Sequence, residues 1–469
     1  MSYNKDILRD VLDIANKRRQ NLIKPDNIRL LELTEGRTPN MKNMENFWVR
    51  DDREISNSIT ISDAVADTRD FWELFRGVSG GYVYYGGDKV FYHVLNDIIK
   101  DIENHSDDVI SMSEFENIIF GHLATVNIVD NHFNIGSKYF RQSAAFYHAP
   151  SELIFERNEH SFRRVSGGQY ITAIKGHEID KVMRLHLTQN GQFVYIPVIL
   201  LIEENLPDNI IIEFVYDDGS CNNINFHKEN AIRRTFQPPS LQYIEEFPVV
   251  NIMMMGFPES TTNPYAQGAR DFLSFAEKLR DELVVIVDIR SNRGGNGILP
   301  AQWLHLLTGE IVPTNYVGLR AQVWDMSVQH GTPEDFGYIT KDITMKYLVP
   351  ELFGDGYMIL QNYPDKIIER EQILILLVDR FTGSAAESFT DMVLNISNSL
   401  IIGSYTYGVL NFDRMTDFQM PRSGLSFGFG AAMHVHPEGH LIEGVGIAPD
   451  IWVEGDALSA VIKMLQRNE

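Results

Sequence analysis

The stretch Ile373-Leu374-Ile375-Leu376-Leu377-Val378-Asp379-Arg380-Phe381-Thr382-Gly383-Ser384-Ala385-Ala386-Glu387 decides the fold class of this chain. An unbroken apolar run from Ile373 to Val378, closed by a polar turn, describes a strand buried on both faces, as central strands of parallel sheets are. Gly383 permits a sharp turn, and Ser384 then heads a helical segment that runs to about Ile396. Strand, turn and helix in that order are the building unit of an α/β sheet.

The alternation continues outward. Val249 to Met255 reads as a buried strand, Ala269 to Leu279 as an amphipathic helix, and Leu283 to Ile289 as a second apolar strand. Leu299 to Leu307 follows as a helix, and Leu400-Ile401-Ile402 as a short strand after the serine-headed helix. Residues 241–469 therefore read as an α/β core with parallel strands at its centre. The stretch from about 310 to 370 breaks the alternation and reads as an insertion of the kind that forms a lid. Upstream, 149–240 carries short β-like runs: Tyr170 to Ile174, then Ile210 to Val215 leading into the hairpin signal Asp217-Asp218-Gly219. Gln237-Pro238-Pro239-Ser240 reads as the linker beyond it. Residues 1–148 carry helical stripes: Ile7, Leu8, Val11, Leu12, Ala15; Val90, Phe91, Val94, Leu95, Ile98, Ile99, Ile102; and a third helix from a Ser113/Glu116 capping box. A small helical bundle is the economical partnering of these stripes.

The chain has 469 residues with a hydrophobic fraction of 44%, which excludes intrinsic disorder. Its 41 basic and 64 acidic residues sum to −23, a surface that repels a polyanion, and no basic run offsets it, so no nucleic-acid partner is expected. The lone Cys221 forbids an intrachain disulfide, and no apolar run is long enough for a transmembrane segment. No apolar leader follows Met1, so the chain is expected to be cytoplasmic if this start is native, and otherwise secreted after loss of a signal peptide.

Ligands on parallel sheets sit beyond the carboxyl ends of the strands, which singles out two loops. One is Asp288-Ile289-Arg290-Ser291-Asn292-Arg293-Gly294-Gly295-Asn296-Gly297, whose glycines let backbone N–H groups turn toward an anion. It is neither a P-loop nor a dinucleotide fingerprint. The other is the turn that presents Ser384 at a helix amino terminus, where unpaired N–H groups suit a developing oxyanion. Ser384 and Glu387 also fit a capping box, which requires no chemistry. A serine nucleophile needs a base. The only lysine after Ser384 is Lys463, close to the carboxyl end, so a histidine is required. Met433-His434-Val435-His436-Pro437-Glu438-Gly439-His440 is a competing constellation: its histidines could bind zinc, or supply the base.

Asp-x-Arg-x-Asn-x-Gly-Gly, Ser-Ala-x-Glu, and Glu443-Gly444-Val445-Gly446-Ile447-Ala448-Pro449-Asp450 together resemble the S41 family of serine peptidases, the carboxyl-terminal processing and tricorn-core type. The resemblance covers about 245 to 455 and extends more faintly upstream. It implies a crotonase/ClpP-like α/β catalytic core, an amino-terminal helical region and a PDZ-like β domain. It also implies a serine endopeptidase with no cofactor and no metal, acting on a polypeptide substrate, with homo-oligomerisation left open. The processing branch of the family places a lysine where this chain has Val409. The tricorn-like branch uses a histidine before the PDZ-like domain and a glutamate after the serine. Asp130-Asn131-His132 resembles the Asp-Gly-His found there, with Asn131 in the glycine position. By this resemblance Ser384 is the nucleophile, His132 the base and Glu443 the orienting acid. The oxyanion hole falls to the N–H groups of Ala385 and of Gly294 or Gly295. A noncatalytic lipid- or peptide-binding protein on the same fold is the alternative, and a zinc hydrolase using His434, His436 and His440 a further one.

Overall fold

The computed structural model describes residues 5–20, 47, 57–158, 161–202, 206–321, 350–353, 357–360, 367–414, 417–435 and 442–467. Its centre is a run of parallel strands in the order Phe247–Asn251, Val284–Asp288, Ile373–Val378, Ser399–Gly403, Ile451–Trp452 and Met183–Leu187. Every residue of Val284–Asp288 and Ile373–Val378 is buried, because both faces of the sheet are covered. Val285, Val287, Leu374, Leu376, Val378 and Ile401 face the helices Ala266–Lys278, Ile298–Thr308 and Ala385–Val393. Val284, Ile286, Ile373, Ile375, Leu377, Leu400 and Ile402 face the opposite layer. The period of two that divides one strand between two cores is the direct consequence of the pleat.

That opposite layer corrects one expectation. It consists of the helix Ala457–Gln466 and the first helix of the chain, Lys5–Gln20. Leu8, Val11, Leu12 and Ala15 pack on the parallel sheet, and the Arg19 guanidinium lies 2.7 Å from Asp450. The apolar stripe was read correctly; its partner is the sheet and not the other amino-terminal helices. Those helices, Ile61–Val78, Gly87–Glu103 and Met112–Ala124, form a separate core. The third starts one turn's edge earlier than the sequence suggests. Its capping box is Ser111 with Glu114, while Glu116 accepts from the Ser137 N–H at 3.0 Å and hydroxyl at 2.8 Å.

The sheet does not stop at the core. Met183–Leu187 pairs with Ile451–Trp452 on one side and antiparallel with Phe193–Leu201 on the other. From there the ladder passes through Ala145–His148, Cys221–Lys228 and Asn209–Tyr216 to Ile171–Ile174. The β-rich segment is thus welded to the catalytic layer, with His148, His186 and Trp452 at the seam. Within 310–370, the described strands Val317–Ala321, Pro350–Phe353 and Tyr357–Leu360 join Gly430–Val435 and Phe412–Arg414 in a second sheet. Residues 322–349 lie outside the described residues. A small sheet of Asn134–Ile135, Lys138–Tyr139, Phe418–Gln419 and Ser426–Gly428 joins the amino-terminal region to the far end of the core. Among the described residues, no helix is long and apolar enough to cross a membrane.

Candidate active site

Ser384 sits where the strand Ile373–Val378 turns into the helix Ala385–Val393, with φ 55° and ψ −122°. A residue with a Cβ reaches that conformation only at a cost of about 1–3 kcal/mol, so the surroundings must impose it. They do so from three sides. The Ser384 N–H donates to Glu387 Oε2 at 3.0 Å, and the Ser384 carbonyl accepts from the N–H groups of Glu387 and Ser388. Asp379 Oδ1 accepts from the Phe381 N–H and the Thr382 hydroxyl, closing the turn before the serine. The Gly383 N–H donates to the Asn292 carbonyl, tying the turn to the neighbouring loop.

That loop lies against the serine because of one glycine. At Gly294, with φ 93°, a Cβ would stand 2.7 Å from Ser384 Cβ and 2.8 Å from the Ala385 nitrogen. Any side chain there would push the two loops apart. The Gly294 N–H itself is spent on Asn292 Oδ1 at 2.9 Å. Met255 donates to the Gly294 carbonyl and accepts from the Asn296 N–H, so in this parallel bridge Gly295 turns its own N–H to the opposite side. The Ala385 N–H is the first of its helix and has no intrahelical acceptor.

The charged residues of the first motif hold the loop from behind. Arg290 grips Asp288 through two bonds of 2.9 and 2.8 Å and reaches Asp456, while Arg234 lies 2.9 Å from Asp288. Ser291 donates its N–H and hydroxyl to Asp379 at 2.8 and 3.0 Å, linking the two strand-end loops.

His132 comes from a different layer. Phe133 and Phe140, which flank its loop, pack at 4.5 Å between ring centroids and anchor it in the amino-terminal core, with Phe75 and Phe429 also against Phe133. Buried Asp130 accepts the His132 N–H at 2.8 Å on Oδ1 and the Gly430 N–H at 3.1 Å on Oδ2. Buried Glu443 accepts the Asn131 N–H at 2.9 Å and the Asn411 N–H at 3.2 Å. One ligand atom each of Asp130, His132 and Glu443 lie within 4.8 Å of one another. Burial pushes Asp130 up to about 6. Burial, and then the charge of Asp130, push Glu443 well above the usual carboxylate range. Two desolvated acids this close resist carrying two negative charges together. The same trio is the donor set closest to a cation site among the described residues. All four of its carboxylate oxygens already accept backbone N–H groups, so the chain alone holds them in place.

Gly408 connects the two sides. Its N–H donates to Glu387 Oε1 at 2.7 Å, and its carbonyl accepts from Asn131 Nδ2 at 2.9 Å and from the Gly444 N–H at 2.7 Å. Glu387 also accepts from the Thr406 hydroxyl and the Val409 N–H at 2.6 and 2.8 Å. Residue 409, where the processing branch carries lysine, thus gives its backbone to the elbow. Lys463 is exposed and donates to the Gln189 carbonyl.

Sequence reasoning missed several of these roles. Glu387 passes for a simple cap, yet it is fully buried with four donors. Asn131 passes for a departure from glycine, yet it binds Gly408, Glu443 and, through Oδ1, the Gln142 N–H. Asn411 carried no signal. The competing histidine cluster is placed only in part: His434 is buried against Tyr316, with ring centroids 4.6 Å apart, and His436 and His440 lie outside the described residues.

Residues 250–453 match the family model described as Peptidase family S41. No curated protein matches the chain. Solved structures similar to it include mature CPAF, at 11% identity and a TM-score of 0.42, covering 86% of this chain and 95% of that one. A photosystem II D1 C-terminal processing protease matches at 12% identity and a TM-score of 0.39, covering 87% and 97%. A lipoprotein from Streptococcus agalactiae matches at 12% identity and 0.38, covering 87% and 96%.

Proposed function

We propose, from the match of residues 250–453 to the model of peptidase family S41, that the chain is a serine endopeptidase working through Ser384, His132 and Glu443. The observation that carries this reading is the meeting of Asp130, His132 and Glu443 within 4.8 Å, joined through Gly408 to the carboxylate that holds the Ser384 N–H. Ser384 Oγ attacks the scissile carbonyl while His132 takes its proton, and the proton then passes to the leaving amine. The imidazolium formed in between stands beside the buried pair Asp130 and Glu443, and a single negative charge shared between the two acids is enough to offset it. The Ala385 and Gly295 N–H groups are the donors for the tetrahedral oxyanion, and water later releases the acyl group by the same path. The crotonase/ClpP-like and PDZ-like descriptions of the core and of the β-rich segment belong to this reading. So does the tricorn-like choice of base, which Val409 supports by replacing the lysine of the processing branch.

Hydrolysis of an unstructured protein substrate tests the proposal. Ser384→Ala should lower turnover by roughly 10⁴-fold or more with an unchanged unfolding temperature, and a chelator should leave the wild-type rate unchanged. Hydrolysis retained in the variant would overturn the mechanism. Loss with the chelator would favour a zinc hydrolase.

A further inference from the structure

Arg380 stands four positions before Ser384, in the turn itself, and is half-buried, with its guanidinium turned inward onto backbone carbonyls. Nη1 donates to the carbonyls of Thr406 and Val445, the latter at 2.8 Å, and Nη2 to the Ala144 carbonyl at 3.5 Å. Its plane lies over the Phe146 ring, 4.8 Å from the centroid. These acceptors are on separate segments. Thr406 belongs to the loop that feeds Glu387, and Val445 follows Glu443 by two residues. Ala144 continues the chain that leaves His132, and its N–H donates to the Gly444 carbonyl at 2.8 Å. One fixed fork therefore touches the nucleophile turn and each segment leading to its partners. A lysine, with a single rotatable head, cannot satisfy three diverging carbonyls in the same way.

A buried guanidinium needs a counter-charge. Glu229, at the exit of the strand Cys221–Lys228, faces it with the opposite charge, and its N–H donates to the Phe146 carbonyl at 2.7 Å, beneath the ring that Arg380 covers. Glu229 Oε2 is buried with no hydrogen-bond partner among the described residues. We propose that Arg380 is a positioning residue that sets Ser384, His132 and Glu443 in register, and that Phe146 beneath it and the charge of Glu229 facing it make this register depend on the β-rich segment. The inference rests on the reading of Ser384 as nucleophile.

The pair is also placed to respond to pH. Burial pushes Glu229 up to about 7, against the pull of Arg380; Asp379 and Glu454 are the other charges facing it. Arg380 in turn faces Glu387, Tyr407 and Asp379 besides Glu229. Above about pH 7 the carboxylate is charged and holds the guanidinium; below it the proton removes that hold.

The rate of Ser384 labelling by a fluorophosphonate, followed by intact mass between pH 5.5 and 8.5, tests both parts. Arg380→Gln should label about 100-fold more slowly, and Arg380→Lys about 10-fold more slowly, each with the wild-type unfolding temperature retained in the lysine variant. The ratio of wild-type to Glu229→Gln rates should rise from near 1 at about pH 6 to several-fold at about pH 8, because glutamine mimics the protonated acid. That ratio cancels the titration of the base, which both proteins share. Wild-type labelling rates in Arg380→Lys, or a ratio flat with pH, would overturn the inference. An adduct that survives Ser384→Ala would instead overturn the assignment of the nucleophile.

Discussion

Ser384 and His132, the proposed nucleophile and base, are held in opposite ways. Ser384 is fixed by its neighbours in sequence: Glu387 three residues on, and Gly408 and Val409, which bind that carboxylate from 21 and 22 residues away. His132 is fixed by groups brought from the far end of the chain. Asp130 is gripped by Gly430 across 300 residues, and Asn131 by Glu443 across 312 and Gly408 across 277. The difference teaches that the serine's geometry is set mainly by a strand, a turn and a helix cap close in sequence, braced by the neighbouring strand-end loop through Asn292 and Ser291. The base's geometry exists only once the amino-terminal helices, the small mixed sheet and the catalytic layer have assembled.

Substitutions on the two sides should therefore fail differently. The largest effect is expected for Glu387→Gln, which turns an amide NH₂ toward donors that now point at a carboxylate. Losing part of a fully buried, four-donor site should cost about 3–5 kcal/mol, read as a large fall in unfolding temperature together with loss of Ser384 labelling. An unchanged unfolding temperature would remove Glu387 as the local anchor. Asn131→Gly restores the residue that the family resemblance favours but deletes the bonds to Gly408 and Gln142. It should cost about 1–2 kcal/mol and slow turnover several-fold while leaving the elbow folded. If it is as severe as Glu387→Gln in both readouts, the two sides are a single cooperative unit and the contrast fails.

The smallest effect concerns the seam between the core and the β-rich segment. Burial pushes His148 and His186 down to about 4, with each ring near the other and His148 against Trp452. Their unfolded forms bind a proton first as pH falls, so they withdraw stability between about pH 6.5 and 4, by at most about 3 kcal/mol each. Asp130 and Asp391, both raised to about 6, and Glu229, raised to about 7, take up protons when folded and act with the opposite sign over the same window. Glu443 and Glu387, also raised by burial, act with the same sign as these acids, so only a difference isolates the histidine. His148→Phe should lose about 1–2 kcal/mol less than wild type on acidification from pH 6.5 to 4.5 in denaturant melts. An identical loss would show that the seam does not sense pH through this ring.

The same contrast sets what could be read from the sequence. Central strands announce themselves by unbroken apolar runs, and the turn before Ser384 by Gly383, so the layer and the elbow were legible from residues alone. The partner of an amphipathic stripe is not written in the stripe, which is why Lys5–Gln20 was given to the wrong core. Ser111 and Ser113 both precede an acid by three residues, Glu114 and Glu116, and the spacing cannot choose between them. Only the pull of the Ser137 N–H and hydroxyl on Glu116 decides it. Gly294 and Gly295 are indistinguishable in sequence, and Asn292 separates them by taking one N–H. His132 was reached through a family resemblance, because nothing local distinguishes it from the other histidines. Arg380 and Glu229 gave no signal, since their meaning lies in which carbonyls and rings surround them.

The most direct test of the central claim is the amount and rate of covalent adduct formed by a fluorophosphonate on wild type, Ser384→Ala, His132→Gln and Glu443→Gln, each read by intact mass. The account predicts one adduct on wild type, located at Ser384, none on Ser384→Ala, and labelling slowed by roughly 10²–10⁴-fold in His132→Gln and less in Glu443→Gln. Labelling at the wild-type rate in His132→Gln would contradict it, and would send the search for the base to His434 and its neighbours.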